Sequence, residues 1–354
     1  MIECLLLETL LFPPRIKELS LMEWDLVVRQ GRRSNILGRY YHLMHEYHLL
    51  EFIPDGPLRH LEWAHINSER LALSVRNEVG YISKALPGVA IVLLKGAAYT
   101  AGQLPAAMGR IFSDIDFLVP KDQLVDVENA LMANGWVSMT ADAYDQEYYR
   151  KWGHELPPLR HLRRNTIIDV HHAILPLSAV ARPDPSKLIA ASVAITADGA
   201  LRILAPVDMF LHSATHLFYE GELQNGLRDL VDLSVLLQDF SRESTFFDDL
   251  LDRAEQLGLQ RPLFYALRYL RLMLKIDIPH RVVDKLSRSG PSRLLSAVMD
   301  AMYQRALLPD HASCVDRYAK LARFGIYLRG TWLRMPRLIL AKHLFHKAFL
   351  SRSN

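Results

Sequence analysis

The sequence predicts an α+β protein: a mixed sheet with helices, set between an N-terminal and a C-terminal helical region. Three observations carry this reading. Residues 89–94 form a continuous apolar run that ends in the small-residue turn Lys95-Gly96-Ala97-Ala98. Phe112-Ser113-Asp114-Ile115-Asp116-Phe117-Leu118-Val119 alternates acidic and apolar side chains at the period of a strand, and Ile167-Ile168-Asp169-Val170-His171-His172 alternates again further on. Before residue 86 and after residue 206 the apolar residues recur at helical spacing instead.

Half of the 354 residues are hydrophobic and 23% are charged, an ordinary globular composition with ample material for a core. A net charge of +3 is too small to argue for nucleic acid by itself. The cysteines, Cys4 and Cys314, form neither a metal motif nor a disulfide framework, which fits a reducing cytoplasm. Glu3 and Glu8, with no basic lead, argue against a signal peptide, and no apolar run reaches bilayer length.

In the N-terminal helical region, 1–86, Leu5, Leu6, Leu10 and Leu11 have helical spacing until Pro13-Pro14 breaks it. The pattern resumes from Trp24 to Phe52, with Tyr40, Tyr41, Leu43, Met44 and Leu49 expected in the core. Pro54-Asp55-Gly56-Pro57 reads as a turn, and a helix is expected over 58–84. This region is expected to pack on the sheet and shape the acceptor side of a site.

The central unit, 87–205, opens at Pro87-Gly88. A buried strand over 89–94 is followed by a short helix starting at Gly96, the acidic strand 112–119, and an amphipathic helix over 121–134. Leu124, Val127, Leu131 and Met132 share one face of that helix, and Gly135 stops it. A strand over 136–140 comes next. The aromatic stretch 141–154 reads as a loop or short helix near the site. Pro157-Pro158 limits 155–162 to an edge strand or extended segment, and Asn165 marks a hairpin turn. Leu201 to Leu204 adds a last edge strand. A C-terminal helical domain, 206–310, and a basic amphipathic tail, 311–354, complete the chain.

Asp114 and Asp116 lie two apart on one strand, so they share a face while Ile115 and Phe117 take the other. Two fixed carboxylates side by side call for a cation between them, and hard divalent ions want carboxylate oxygens. Lys95-Gly96-Ala97-Ala98, then Arg110-Ile111-Phe112-Ser113-Asp114-Ile115-Asp116, resembles the signature of the DNA polymerase β-like nucleotidyltransferase superfamily. Within it the chain is most similar to an uncharacterised bacterial nucleotidyltransferase family whose motif reads Lys-Gly rather than Gly-Ser.

The resemblance implies a polymerase-β-like core that binds two Mg²⁺, with Mn²⁺ as a substitute, through three carboxylates. It implies transfer of a nucleoside monophosphate from an NTP, ATP by default, to an acceptor hydroxyl. Asp114 and Asp116 would hold both ions. Asp169 would hold the ion on the acceptor side and take the acceptor's proton. The acceptor is a sugar, small molecule, protein or RNA end. Gly96 allows close backbone approach to phosphate. Ala97 stands where the superfamily usually has Ser, so a hydroxyl contact to phosphate is missing there.

Lys95 and Arg110 either bind the β- and γ-phosphates or complement the acidic site. Ser113 either donates to a phosphate or caps the strand. His171 either orients the acceptor or bonds Asp169. Arg228, Asp229 and Asp232 either face the nucleotide or form an Arg228–Asp232 pair at i, i+4. His212 and His216 are four apart but lack the following Glu of a zinc protease motif.

From Arg317 onward there are nine Lys or Arg and no Asp or Glu, with aromatic and aliphatic residues interleaved. Docking on an acidic face of the same chain is the first expectation. Contact with anionic lipid is the second and with another polyanion the third. The location expected is cytoplasmic, with peripheral membrane contact through this tail. Two other functional classes fit the same residues: a nucleotide-binding regulator that no longer catalyses, and a scaffold recruited through the tail.

Overall fold

Seven strands form one mixed sheet: β1 (Ile91–Leu93), β2 (Asp114–Leu118), β3 (Trp136–Ser138), β4 (Leu159–His161), β5 (Ile167–His171), β6 (Val193–Ala194) and β7 (Leu201–Ile203). Their order is β3-β4-β5-β2-β1-β7-β6. β2 runs parallel to β5, β1 runs parallel to β7, and the other ladders are antiparallel. This computed structural model describes residues 4–140, 153–219, 221 and 223–334. The aromatic stretch 141–152 and the end of the basic tail, 335–354, lie outside the described residues.

The three central strands are short and apolar on the core side. Ile91, Val92 and Leu93 are fully buried, and so are Phe117, Ile168 and Val170. Burying a side chain of this size stabilises the fold by about 1.5–3 kcal/mol. The alternation within β2 and β5 does the positioning: the apolar set is clamped in the core, so the acidic set must emerge on the opposite face.

The N-terminal helices are α1 (Leu5–Leu11), α2 (Leu21–Arg33), α3 (Leu37–Glu46) and α4 (Asp55–Ala85). Ser20 and Glu23 close α2 with a reciprocal capping box. Tyr40, Met44 and Leu49 are buried, while Tyr41 and Leu43 are half-buried against the core. The expected turn at 54–57 is instead the first turn of α4. Pro57 is tolerated there because the first amides of a helix have no partner to lose. α4 is tied to the sheet where Arg164, in the turn after β4, forms a bidentate pair with buried Glu78 at 2.7 and 2.9 Å.

α5 (Lys95–Ala101) follows β1, and α6 (Leu124–Ala133) follows β2. Val127 and Leu131 of α6 are buried, but Met132 is 52% exposed, because it lies beyond the edge of the apolar stripe. Two strands expected at edges are internal. β4 pairs with both β3 and β5, since Pro157 and Pro158 precede its ladder rather than interrupt it. β7 is flanked by β1 and by the two-residue β6, which takes the edge.

A short α7 (Pro185–Ala191) precedes β6. The C-terminal helices are α8 (Pro206–Tyr219), α9 (Gly226–Phe240), α10 (Phe246–Leu257), α11 (Gln260–Leu274), α12 (His280–Ser289), α13 (Arg293–Ala306) and α14 (Ala319–Arg334). Most of the buried apolar residues form one continuous core from Cys4 to Ile326, and Leu175, Ala179 and Tyr219 form a separate small cluster. Cys4 and Cys314, remote in sequence, are neighbours in it, with their Sγ atoms 3.4 Å apart. Among the described residues no helix is long and apolar enough to cross a membrane.

Candidate active site

Asp114, Asp116 and Asp169 converge. β2 and β5 run parallel with Asp116 opposite Asp169 and Asp114 opposite Ile167. Paired residues in a parallel ladder project to the same face, so all three carboxylates stand on one side of the sheet. Asp116 is 4% exposed, and Asp169 Oδ1 is buried with no hydrogen-bond partner.

Two cations already sit on Asp116 Oδ1: Lys95 Nζ at 2.8 Å and His171 Nε2 at 3.0 Å. Burial alone would raise the Asp116 carboxyl, but Lys95 and His171 outweigh it and hold it well below the usual carboxylate range. Asp169 has no such partner. Burial, with Asp116 and Glu155 nearby, pushes it up to about 7. Asp114 is raised by burial and by Asp116. One face therefore holds one carboxylate fixed as the anion and a neighbour that keeps its proton near neutrality, as expected of like charges sharing a site. His171 bonds Asp116 rather than Asp169, because Nε2 reaches across the ladder; its other nitrogen lies 3.2 Å from Glu155 Oε2.

A cavity of about 210 Å³ opens beside this face. Lys95, Asp114 and Asp116 line one side, and Arg228, Asp229 and Asp232 of α9 line the other. Lys95 has φ +46°, a left-handed conformation that L side chains rarely adopt, at the bend from β1 into α5. Gly96 also permits a close approach within the protein. A Cβ there would lie 2.3 Å from Arg110 Nη1 and 2.9 Å from Phe112 Cδ1, so the glycine makes room for a buried guanidinium. Ala97 is 1% exposed and packs inward. Ser113 is exposed and lies 3.3 Å from Asp114 Oδ1.

Arg110 is not a loose surface charge. Its Nε donates to Asp232 Oδ2 at 2.6 Å, and its Nη2 lies 3.9 Å from Asp229. Arg39 of α3 donates to the other oxygen of Asp232 at 3.2 Å and to the carbonyl oxygens of Pro105 and Ala106. With both Asp232 oxygens taken, the i, i+4 pair with Arg228 does not form. Arg228 instead donates to Asp229 Oδ1 through Nε at 2.9 Å and Nη2 at 2.7 Å, and to Ile111 O. His212 and His216 stay neutral: burial pushes His212 down to about 3 and His216 well below its usual range. Neither belongs to a metal-capable cluster among the described residues.

Sequence reasoning missed Arg39, Tyr99, His154 and Glu155. Tyr99 Oη bonds Ser213 Oγ at 2.6 Å on the cavity wall. Arg39 meets its partner 193 positions away, a distance over which no spacing rule reports. Only the adjacency of His154 and Glu155 offered a signal.

The donor set is hard: three carboxylates, one with a buried unpartnered oxygen. That set fits divalent cations of the magnesium class. Residues 20–275 match a family described as an uncharacterised nucleotidyltransferase. No curated protein and no solved structure matches the chain.

Proposed function

Since the chain belongs to the uncharacterised nucleotidyltransferase family, we propose that it transfers NMP from an NTP to an acceptor hydroxyl on the face shared by Asp114, Asp116 and Asp169. We assign its core to the polymerase-β-like class. The observation that carries the reading is the ladder that sets Asp116 opposite Asp169 with Asp114 on the same face. The three aspartates would hold two Mg²⁺, or Mn²⁺ in their place. When bound, such ions neutralise the phosphates and lower the proton affinity of the acceptor oxygen.

The chain's own residues do the rest. Lys95, which pairs with Asp116 at 2.8 Å, would reach the triphosphate from the bend where its left-handed backbone starts the side chain. Arg228, held at the opposite wall by Asp229 and the carbonyl oxygen of Ile111, supplies positive charge to the phosphates. Arg110, locked on Asp232, acts as a fixed positive wall and holds Gly96 and Phe112 in place. Ser113 donates a hydroxyl at the rim. Asp169 would accept the acceptor's proton as the new ester bond forms and pyrophosphate leaves.

Pyrophosphate release across the four NTPs, with pools of sugars, small molecules, proteins and RNA ends as acceptors, tests the reading. Release with at least one pool, lost in Asp116→Ala, is expected; no release under any combination would overturn it. One observation favours a second reading, a nucleotide-binding protein without catalysis. The Lys95–Asp116 pair at 2.8 Å already neutralises the central carboxylate, and Ala97 supplies no hydroxyl. Mg²⁺-dependent NTP binding without release would select it.

A further inference from the structure

α14 is packed inside out. Its buried face carries Ala319, Ala322, Ile326 and Gly330, whereas Leu321 is 67% exposed, Phe324 57% and Leu328 49%. A helix that docks on a core ordinarily buries its largest apolar side chains and gives polar ones to water. Here the spacing i, i+3, i+7 sets the three largest on one outward stripe.

The stripe continues onto α13. Arg305 pairs with Asp316 just before α14 at 2.9 Å, and Met302 lies so close over Gly325 that a Cβ there would overlap it. Later positions of α14 thus meet earlier positions of α13, and the two helices run antiparallel. Met302, Val298 and Leu294 are spaced four apart and follow one line along α13. Val298 and Leu294 on that line are exposed, Leu294 by 78%. Single exposed leucines are ordinary on a soluble surface, but a row shared by two helices marks a place of contact.

Charge says what the surface meets. The acidic groups nearest α14 in sequence are taken: Asp316 by Arg305, and Asp310 by Arg323 at 2.5 Å. Arg317 and Lys320 at the start of α14 and Arg293 at the start of α13 are exposed, so both ends of the antiparallel pair carry positive charge. Residues 335–354 add Arg337, Lys342, Lys347 and Arg352 with no Asp or Glu, so they repeat the chemistry of this face rather than complement it. A second copy of the chain would bring the same cations against it. An anionic lipid surface supplies both complements, acyl chains for the stripe and phosphates for the cations. Tyr318 and Tyr327, both exposed, are of the residue type that settles at headgroup level.

We propose that the outward face of α13 and α14 docks on anionic membrane lipid. The two helices lie in the plane of the interface, with Leu294, Val298, Leu321, Phe324 and Leu328 at the acyl boundary and Arg293, Arg317 and Lys320 on the headgroups. None of these residues lines the cavity beside Asp116, so the proposal does not require the chain to transfer nucleotides.

The test is co-sedimentation of the full chain with vesicles of phosphatidylcholine alone and of phosphatidylcholine mixed with phosphatidylglycerol. Pelleting with the mixed vesicles only, weakened by added salt, is expected. Leu321→Glu and Phe324→Glu should each lower the affinity by about tenfold or more. Met22→Glu, on α2 and 82% exposed, should leave it within about twofold. Wild-type chain that stays in the supernatant with both vesicles overturns the proposal. So does binding that Phe324→Glu spares, which would mean contact with any polyanion through charge alone. Sedimentation equilibrium and thermal melts close the remaining cases. A dimer that Phe324→Glu breaks would mean that a second copy covers the face, and a Phe324→Glu chain melting far below wild type would mean that the chain covers it itself; either result overturns the proposal. Since no outcome is read from turnover, failure here is distinct from failure of nucleotidyl transfer.

Discussion

Asp116 of β2 and Asp169 of β5 are ladder partners in two parallel strands, so their carboxylates rise side by side from one face. Their chemistry differs because, among the described residues, Lys95 and His171 bond Asp116 while Asp169 Oδ1 is buried without a hydrogen-bond partner. If the pair performs nucleotidyl transfer, Asp116→Ala and Asp169→Asn should each lower pyrophosphate release by about a thousandfold. Either variant within about threefold of wild type would refute the assignment.

Asp169 also makes stability depend on pH. Its folded value, about 7, lies above its ordinary 3.8. The folded chain therefore holds this proton more tightly than the unfolded chain. Its contribution is fully present below about 3.8 and is lost as pH rises through about 7. In chelator, Asp169→Asn should match wild type in melting temperature near pH 4 and exceed it above pH 7. The reverse order, checked by thermal melts across that range, would rule this out.

Asp232 is a buried carboxylate between two buried guanidiniums, Arg39 and Arg110. Asp232→Ala leaves both charges uncompensated and should cost about 3–5 kcal/mol in denaturant titrations. A loss under about 1 kcal/mol would mean that solvent reaches these groups.

Gly109 has φ +67°, and a Cβ on it would lie 2.2 Å from the carbonyl carbon of Gly38. Both the conformation and the contact exclude a side chain. Gly109→Ala should lose about 2 kcal/mol or more, whereas Gly199→Ala, with open space around it but φ +70°, should lose less. Equal losses would show that the close approach to Gly38 contributes nothing.

Cys4 and Cys314 are both buried in the core. A buried thiol is shielded from reagents, so a labelling reagent should modify neither before global unfolding. The labelling rate should track the unfolding free energy as denaturant is added; rapid labelling of either thiol in the native chain would contradict the packing.

The face that carries the three aspartates was legible in the sequence because strand period is a local property. Asp114 and Asp116 had to share a side, and the same alternation at Asp169 made convergence the natural expectation. What stayed hidden depends on long-range partners. The i, i+4 rule suggested Arg228–Asp232, but Arg39 and Arg110 reach Asp232 from elsewhere in the chain, and Arg228 turns to its neighbour. Pro157-Pro158 suggested an edge, yet the ladder begins just after them. The contact of Gly96 with Arg110 stayed hidden as well, because it depends on a side chain fourteen positions away.

The double anchoring of Asp232 constrains how the protein can open. Arg39 belongs to the N-terminal helices and Arg110 to the connection leading into β2, while Asp232 belongs to a C-terminal helix. Swinging any of these parts outward would pull a desolvated ion apart. Any widening of the cleft is thereby left to lining side chains such as Lys95 and Arg228, while the elements that carry Asp232 and its two partners hold their places.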